Sequence, residues 1–521
     1  MAVDYSVYLV TDNTPAILGD KDIVEVVRAA VDGGVTIVQL RDKTSDTGEL
    51  IKIAKQLHAV TKPKGVPLVI NDRVDVALAS GVEGVHIGQD DIDLTSARKI
   101  LGKDAIIGVT ANSLEEAEIA AAGGADYLGL GTVFATPTKE NSKSIIGVSG
   151  VQTILSSLEK QYPDVKNVCI GGINASNCQR VLYQSTTPTG KRLDGIAVVS
   201  AIMAAQDPKK ASSDLVRLVS TPPPFAASSS ATQRRQMTQE LIATTIPEIT
   251  KRLAEKKPLC HNMTNLVVQN FAANVALAVG GSPIMSSNSH EAADLAALGG
   301  SLVLNMGSTT PEMRAHHLRA MAAYNSIGGP ILLDPVGAGA TCARREGVAA
   351  LMRGGYFDVI KGNEGEIRTV SGAAGVKQHG VDSGASQLSL RERAQLVKQV
   401  AAREHNVVLM TGTTDVISDG VRTLAVSNGH ALLGEITGSG CTLGTTIAAY
   451  LAVEREDKLL AVLAGVLHYE IAGERAAARK ETVRGPGSFI PAFIDELYLI
   501  RQESVAGGEW AQGAKVEVLD I

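Results

Sequence analysis

From residue 7 onward, short apolar runs alternate with longer stretches of helical periodicity. The runs are VYLVTD (7–12), TIVQLRD (36–42), PLVIND (67–72), GVHIGQ (84–89), IIGVTA (106–111), DYLGLGTVF (126–134), NVCIGGIN (167–174) and GIAVVSA (195–201). Their near-continuous Val, Ile and Leu content suits strands covered on both faces rather than half-solvated ones. Eight such runs with helix-length connections predict eight βα units. Eight parallel strands close most economically into a (β/α)8 barrel, with a doubly wound open sheet as the alternative.

The alternation stops at STPPPFAASSSATQRRQ (220–236). Proline, serine and alanine without periodicity read as a linker. One domain is therefore predicted over 1–219 and a second over 237–521. In the second, SLVLNMG (301–307), GPILLDPVG (329–337), FDVIKGN (357–363) and NVVLMTG (406–412) resemble buried parallel strands. Their polar or glycine-rich ends all lie C-terminal, where open α/β sheets bind ligands. This half is predicted to be a layered α/β sheet flanked by helices. No repeat beyond the βα alternation is visible, and the pattern leaves the order of 374–390 open.

Size and composition narrow the class without changing that picture. At 521 residues the chain is too long for one ordinary domain, and 45% hydrophobic residues are enough for a core in each. A net charge of −6 with no basic block argues against nucleic acid. Five scattered cysteines, none in a CxxC, point to a reducing compartment with neither a disulfide framework nor a zinc site. The longest apolar run, ANVALAVGG, is too short to span a bilayer. MAVDYSVYLVTD enters a strand pattern at once, so no signal peptide is expected. Together these predict a cytoplasmic enzyme of small molecules.

Polar groups of the first half gather at strand ends, where a barrel places its active site. QLRDK puts Gln39, Arg41 and Lys43 on one face, two cations and an amide suited to a diphosphate. Asn71, Asp72, Asp90 and Asp91 end the next two strands. Carboxylates there can hold Mg²⁺, although Asp72 and Asp91 could equally cap helices, and for Asp90 the cap is favoured. His86 lies inside a strand and is expected to be a hydrogen-bonded core residue. ATPTK (135–139), GGIN (171–174) and VVS (198–200) suit a second anion, since glycine N–H groups after strands seven and eight form a recurring phosphate site.

QLRDK, VIND, HIGQDD, TPTK and GGI, in this order and spacing, resemble thiamine-phosphate synthase across residues 5–205. The resemblance implies a (β/α)8 barrel joining 4-amino-5-hydroxymethyl-2-methylpyrimidine diphosphate to hydroxyethylthiazole phosphate, with pyrophosphate leaving. It implies that Gln39, Arg41, Lys43, Asn71, Thr110 and Lys139 contact the pyrimidine diphosphate, Thr110 supplying a hydroxyl where the family often has serine. Asp72 and Asp91 would hold Mg²⁺, and Thr136, Pro137, Thr138, Gly172, Val199 and Ser200 the thiazole phosphate. The aminopyrimidine delocalises the cation formed as pyrophosphate departs, so the protein must chiefly stabilise leaving-group charge.

In the second half, DPVGAGAT (334–341) and KGNEGEI (361–367) place Asp334, Lys361 and Glu366 at strand ends. The acids could act on Mg²⁺ or cap helices, and Lys361 could oppose nucleotide phosphate. Asn262, Asn265, Asn270 and Asn274 read most simply as helix caps or bends, and Met285 as packing. No GxxxxGK[ST] is present, so the remaining phosphate device is TGSGC (437–441), small residues leading into a helix. NMTN…GGSPIM, DPVGAG, GNEGEI and TGSGC resemble hydroxyethylthiazole kinase, of the ribokinase-like superfamily, over about 240–500. The resemblance implies Cys441 as base, with its thiolate favoured by the helix start. It further implies Lys361 and Thr411 for ATP, and Met285 and Gly438 for the thiazole. Synthase followed by kinase resembles the fungal bifunctional thiamine-biosynthetic enzymes. It implies a homo-oligomer, a trimer or hexamer, with kinase sites between subunits. A kinase half serving only as scaffold, or acting on the pyrimidine alcohol, stays open at this point.

Overall fold

The computed structural model describes residues 3–136, 145–226, 236–372 and 388–521. The chain divides into two compact units, Met1–Pro223 and Pro224–Ile521.

In the first unit, strands β1 (Val7–Val10), β2 (Ile37–Leu40), β3 (Leu68–Asn71), β4 (Gly84–Ile87), β5 (Ile106–Ala111), β6 (Tyr127–Leu130), β7 (Lys166–Ile170) and β8 (Gly195–Val198) close into a parallel barrel. All eight predicted strands are present, and β1 pairs with both β2 and β8, so no edge is left open. Helices fill the connections. Ile23–Asp32, for example, starts where the Asp22 carboxylate accepts the Val24 and Glu25 N–H groups, and it buries Val26, Val27, Ala30 and Val31. Side chains divide by strand face. Val7, Leu9, Val38 and Leu40 pack outward under the helices, while Tyr8, Val10, Ile37, Val69 and Tyr127 fill the barrel interior. That two-faced burial is why the strands read as continuous apolar runs. The register pairs Val10 with Gln39 and Asn71 with His86, which levels the C-terminal ends.

The second unit is a nine-stranded sheet in the order β10-β9-β11-β12-β13-β14-β15-β16-β17. The strands are β9 (Leu259–Met263), β10 (Ser282–Ile284), β11 (Ser301–Asn305), β12 (Ile331–Asp334), β13 (Val359–Asn363), β14 (Val407–Thr411), β15 (Asp415–Ser418), β16 (Thr423–Val426) and β17 (Val516–Val518). The four predicted strands are β11 to β14. They run parallel with β9 and β10, and β15 to β17 continue antiparallel. Strand β9 escaped the sequence pattern because LCHNM is half polar. His261 and Asn262 are nonetheless fully buried, since Ser286 O pairs with the imidazole and Cys260 O and Thr445 Oγ1 with the amide. The β15–β16 hairpin turns on Asp419, whose carboxylate accepts from Val421 and Arg422 N–H. Separate apolar clusters cover the two sheet faces. One is built from the helices Ser439–Val453, Lys458–Ala478 and Pro486–Val505, the first two of which are apolar nearly all round and almost wholly buried.

Candidate active sites

In the barrel unit the polar strand ends converge as predicted. Arg41 and Lys43 follow β2. The Arg41 backbone N–H donates to Thr11 Oγ1, and its guanidinium lies 3.6 Å from the buried Asp12. Asp12, which the sequence reading passed over, fixes the arginine; the signal was a carboxylate ending the first apolar run. Lys43 Nζ reaches Asp72 Oδ2 at 3.1 Å, with the lysine 58% and the aspartate 23% exposed. Asp72 sits directly after β3 at φ +63°, donating its N–H to His86 O. Burial pushes the Asp91 carboxyl above its usual range, and a side-chain hydrogen bond with Asp72 pushes it further, so the two acids share one spot beside Lys43. Asp91 also accepts from Gly88 N–H. Neither acid caps a helix through its side chain. The cap of Leu94–Leu101 is Asp93, which also corrects the cap reading of Asp90.

Gln39, Thr110 and His86 are joined through the barrel interior, and His86 is the hydrogen-bonded core residue expected. Across the barrel mouth, Gly171 and Gly172 take φ of +104° and +66°. A Cβ on Gly172 would lie 2.9 Å from Phe134 Cβ and 3.1 Å from Ala135 O. This close approach sets the GGIN turn against the loop that carries Thr136. Pro137, Thr138 and Lys139 lie outside the described residues. Val199 and Ser200 follow β8, the neighbour of β7, so the GGI and VVS segments stand side by side.

In the second unit one polar chain runs under the TGSGC turn. Cys441 Sγ accepts from Asn265 Nδ2 at 3.5 Å, which also donates to Asn305 Oδ1 at 3.0 Å. Asn305 Nδ2 donates to Asp334 Oδ2 at 2.9 Å, and Lys361 Nζ donates to Asp334 Oδ1 at 3.1 Å. Asn305 was missed by sequence reading; its signal was an amide ending the apolar run SLVLN. Asn265 is a hub rather than a cap, and Asn274 donates to Asn270 O within a helix whose N-cap is Val268 rather than an asparagine. Gly438 holds φ +89° at the start of Ser439–Val453, where a Cβ would lie 2.7 Å from Val268 Cγ2. A Cβ on Gly440 would stand 3.5 Å from Lys361 Nζ, so the ammonium lies directly beneath the glycine turn.

Electrostatics here differ from the sequence expectation at Cys441. Cys441 is not activated by its helix start: burial and then Asp334 push its thiol up to about 11, outweighing Lys361 and the two asparagines. Lys361 is 5% exposed and paired with Asp334. Burial opposes its charge, but Asp334, Cys441 and Glu366 together raise its pKa and keep it cationic. Burial pushes Asp334 up, opposed by Lys361 and Asn305. Glu366 does cap a helix. It forms a capping box with Asn363, and its other oxygen accepts from Gly337 N–H, tying GNEGEI to DPVGAG. Burial and Asp334 raise it to about 7. Thr411 ends β14 beside Asn363 of β13, and Met285 directly follows the edge strand β10. Among the described residues no group of three or more His, Cys, Asp or Glu could hold a metal. Two carboxylates plus substrate oxygens remain the compatible scheme for a hard cation.

A family model described as thiamine monophosphate synthase matches residues 7–202, and one described as the hydroxyethylthiazole kinase family matches 250–503. The chain is 44% identical to a probable thiamine biosynthetic bifunctional enzyme of Schizosaccharomyces pombe, over 99% of each chain. It is 37% identical to a thiamine biosynthetic bifunctional enzyme of Saccharomyces cerevisiae, over 96% of each. A hydroxyethylthiazole kinase of Moorella thermoacetica is 43% identical, with 96% of its length matching 52% of this chain.

Proposed function

The chain belongs to the bifunctional thiamine-biosynthetic enzymes, and from that premise we propose how its two units divide the work among the residues described above. The kinase phosphorylates the hydroxyl of hydroxyethylthiazole with ATP. The synthase joins the resulting phosphate to the pyrimidine diphosphate, giving thiamine phosphate and pyrophosphate.

In the kinase, Lys361 beneath the glycine turn faces the transferred phosphoryl group, and the turn supplies backbone N–H donors. This placement is the observation that carries the reading. Asp334 holds Lys361 in place, and Asn305 and Asn265 carry that order to Cys441. With its thiol held protonated, Cys441 acts mainly by position. A loose phosphoryl-transfer transition state asks little of a base. Thr411 contacts ATP, and Met285 and Gly438 the thiazole. Asp334 and Glu366 are the acids available to Mg²⁺, through water in their present state because both oxygens of each already accept hydrogen bonds.

In the synthase, the donor set of Asp72 and Asp91 fits Mg²⁺, which when bound would neutralise charge on the departing pyrophosphate. Lys43 and Arg41 add positive charge on the same side. Gln39, Asn71, Thr110 and Lys139 complete the contacts to the pyrimidine diphosphate. Thr136, Pro137, Thr138, Gly172, Val199 and Ser200 take the thiazole phosphate.

A homo-oligomer, a trimer or hexamer, is favoured by Leu266 and Val267, which are 78% and 74% exposed immediately beside the hub Asn265. Five free cysteines suit the cytoplasm. The deciding experiment supplies thiazole alcohol, pyrimidine diphosphate, ATP and Mg²⁺ to the purified chain. Thiamine phosphate should form, cease without ATP and return when thiazole phosphate is added. Failure of the last step would remove the reaction order.

A further inference from the structure

Four hydrogen bonds cross the barrel interior in one unbroken line. Gln39 Nε2 donates to Tyr8 Oη at 2.7 Å, Tyr8 Oη meets Tyr127 Oη at 2.7 Å, Tyr127 Oη meets His86 Nδ1 at 2.9 Å, and His86 Nε2 meets Thr110 Oγ1 at 2.8 Å. The line links β2, β1, β6, β4 and β5, and its two ends are groups placed at the pyrimidine diphosphate. Tyr8 and Tyr127 are 1% and 0% exposed, so no water competes for their hydroxyls. Burial raises both phenols, which keeps them protonated. The sequence makes room for the line. A Cβ on Gly108 would fall 2.0 Å from Tyr127 Cζ, and one on Gly129 would fall 3.1 Å from His86 Cε1.

Every proton in this line has only one direction to take. An amide nitrogen can only donate, so Tyr8 accepts from Gln39 and must spend its single proton on Tyr127. Tyr127 then spends its own on His86 Nδ1. That nitrogen accepts, so the imidazole proton sits on Nε2 and is given to Thr110 Oγ1. The threonine hydroxyl, already accepting, is left with its own proton to donate, and Thr110 is only half-buried at the strand end. At the other end one of the two Gln39 amide hydrogens is given to Tyr8, which fixes the amide's orientation and sets its carbonyl oxygen on the opposite side as the acceptor.

We propose that Tyr8, Tyr127 and His86 are positioning residues of the synthase. Through one fixed hydrogen-bond polarity they present Thr110 as a donor and the Gln39 carbonyl as an acceptor to the pyrimidine diphosphate. This rests on the assignment of Gln39 and Thr110 to that substrate. The polarity fits its chemistry: a diphosphate offers acceptors only, and the aminopyrimidine carries the molecule's one N–H donor group. A line of opposite polarity would face diphosphate with an accepting hydroxyl and the amine with a donor. The relay moves no proton during the reaction; it decides which lone pairs and hydrogens face the ligand.

Two measurements on the full chain test it, with the thermal melting of the first unit as the check that each barrel variant is folded. Nitrogen-15 shifts of labelled histidine, with the His86 signals assigned by their loss in His86→Gln, should show the proton on Nε2. In Tyr127→Phe that preference should be lost and kcat/KM for the pyrimidine diphosphate should fall about tenfold, the size of one lost hydrogen bond. Thr110→Val should cost as much or more, Thr110→Ser should restore activity, and Tyr127→Phe added to Thr110→Val should cost nothing further. A proton on Nδ1, or costs that multiply in the double variant, would overturn the relay while leaving the site assignment standing. A Thr110→Val chain as active as the parent would overturn the site assignment, and the relay's purpose with it.

Discussion

The two candidate sites hold their charged groups in opposite media. In the barrel, Lys43 and Asp72 meet at the rim with the lysine more than half exposed, and Asp91 joins them there. In the kinase, Lys361 and Asp334 are sealed between sheet and helix, with the lysine 5% and the aspartate 1% exposed. Water screens the first set, so its strength grows only when a bound ligand displaces that water. The second set is ordered before anything binds, and its charges were desolvated when the protein folded. A substitution at the rim should therefore cost chemistry and little stability, whereas one in the buried chain should cost both.

Lys361→Met should have the largest effect. It leaves Asp334 buried without its cation, a cost of about 3–5 kcal/mol, and removes the charge beneath the glycine turn. Thermal unfolding should show the second unit strongly destabilised, and phosphorylation of the thiazole should drop below detection while coupling of supplied thiazole phosphate continues. Adding Asp334→Leu should return most of the stability and none of the kinase activity. A double variant as unstable as the single one would mean the pair does not behave as a desolvated unit.

Asp72→Asn should come next, and it sharpens the contrast from the other side. Asparagine tolerates the φ of +63° held by Asp72, so the backbone should not suffer. Loss of a half-exposed ion pair should cost no more than about 1 kcal/mol. Coupling should nevertheless fall on the order of 100-fold, about the loss typical when one charge-stabilising group is removed, with phosphorylation intact. A melting point lowered as far as in Lys361→Met would erase the distinction between the sites.

Cys441→Ala is expected to cost less, about tenfold in phosphorylation rate, because positioning and charge stabilisation remain. The pH profile is the stricter readout. If the thiolate were the base, the rate would keep climbing toward the raised pKa of about 11 and the variant would lose that climb. A thiol acting by position predicts parallel profiles, and a climb confined to the parent would restore the base.

This contrast also explains what could be read from the sequence. The barrel strands and rim residues were legible because each is a local pattern: a run of Val, Ile and Leu, then charge. The kinase strands β11 to β14 were legible for the same reason. Strand β9 and the amides Asn265 and Asn305 were not, since their burial depends on partners more than a hundred residues away, such as Cys441 and Thr445. The state of Cys441 was misjudged because a helix start is visible in sequence and the desolvation around it is not. Tyr8 and Tyr127 read as plain strand residues, and only barrel closure brings their hydroxyls together.

The smallest expected effect concerns Asp415 and Glu470, buried acids of the second unit that share a side-chain hydrogen bond. Beyond that bond, Asp415 Oδ2 and Glu470 Oε2 have no partner among the described residues, while Asp415 Oδ1 accepts from Gly412 N–H, one residue past Thr411. Burial raises both acids, Asp415 to about 6, with Lys361 and Arg393 holding Asp415 down and Glu474 pushing Glu470 further up against Lys515. Because the folded values are raised, the stabilisation is complete below the ordinary carboxylate range and is lost as pH climbs through about 6 and beyond. Glu470→Gln replaces the shared proton by a permanent amide donor. At pH 8 its second unit should melt about 2–4 °C above the parent, and near pH 4.5 the two should coincide. The rim acids of the barrel have no such buried partnership, so the first unit should melt alike in both chains at both pH values. A Glu470→Gln chain that melts no higher at pH 8 would show that the pair shares no proton, and that the kinase interior is less strictly dehydrated than its buried ion pair implies.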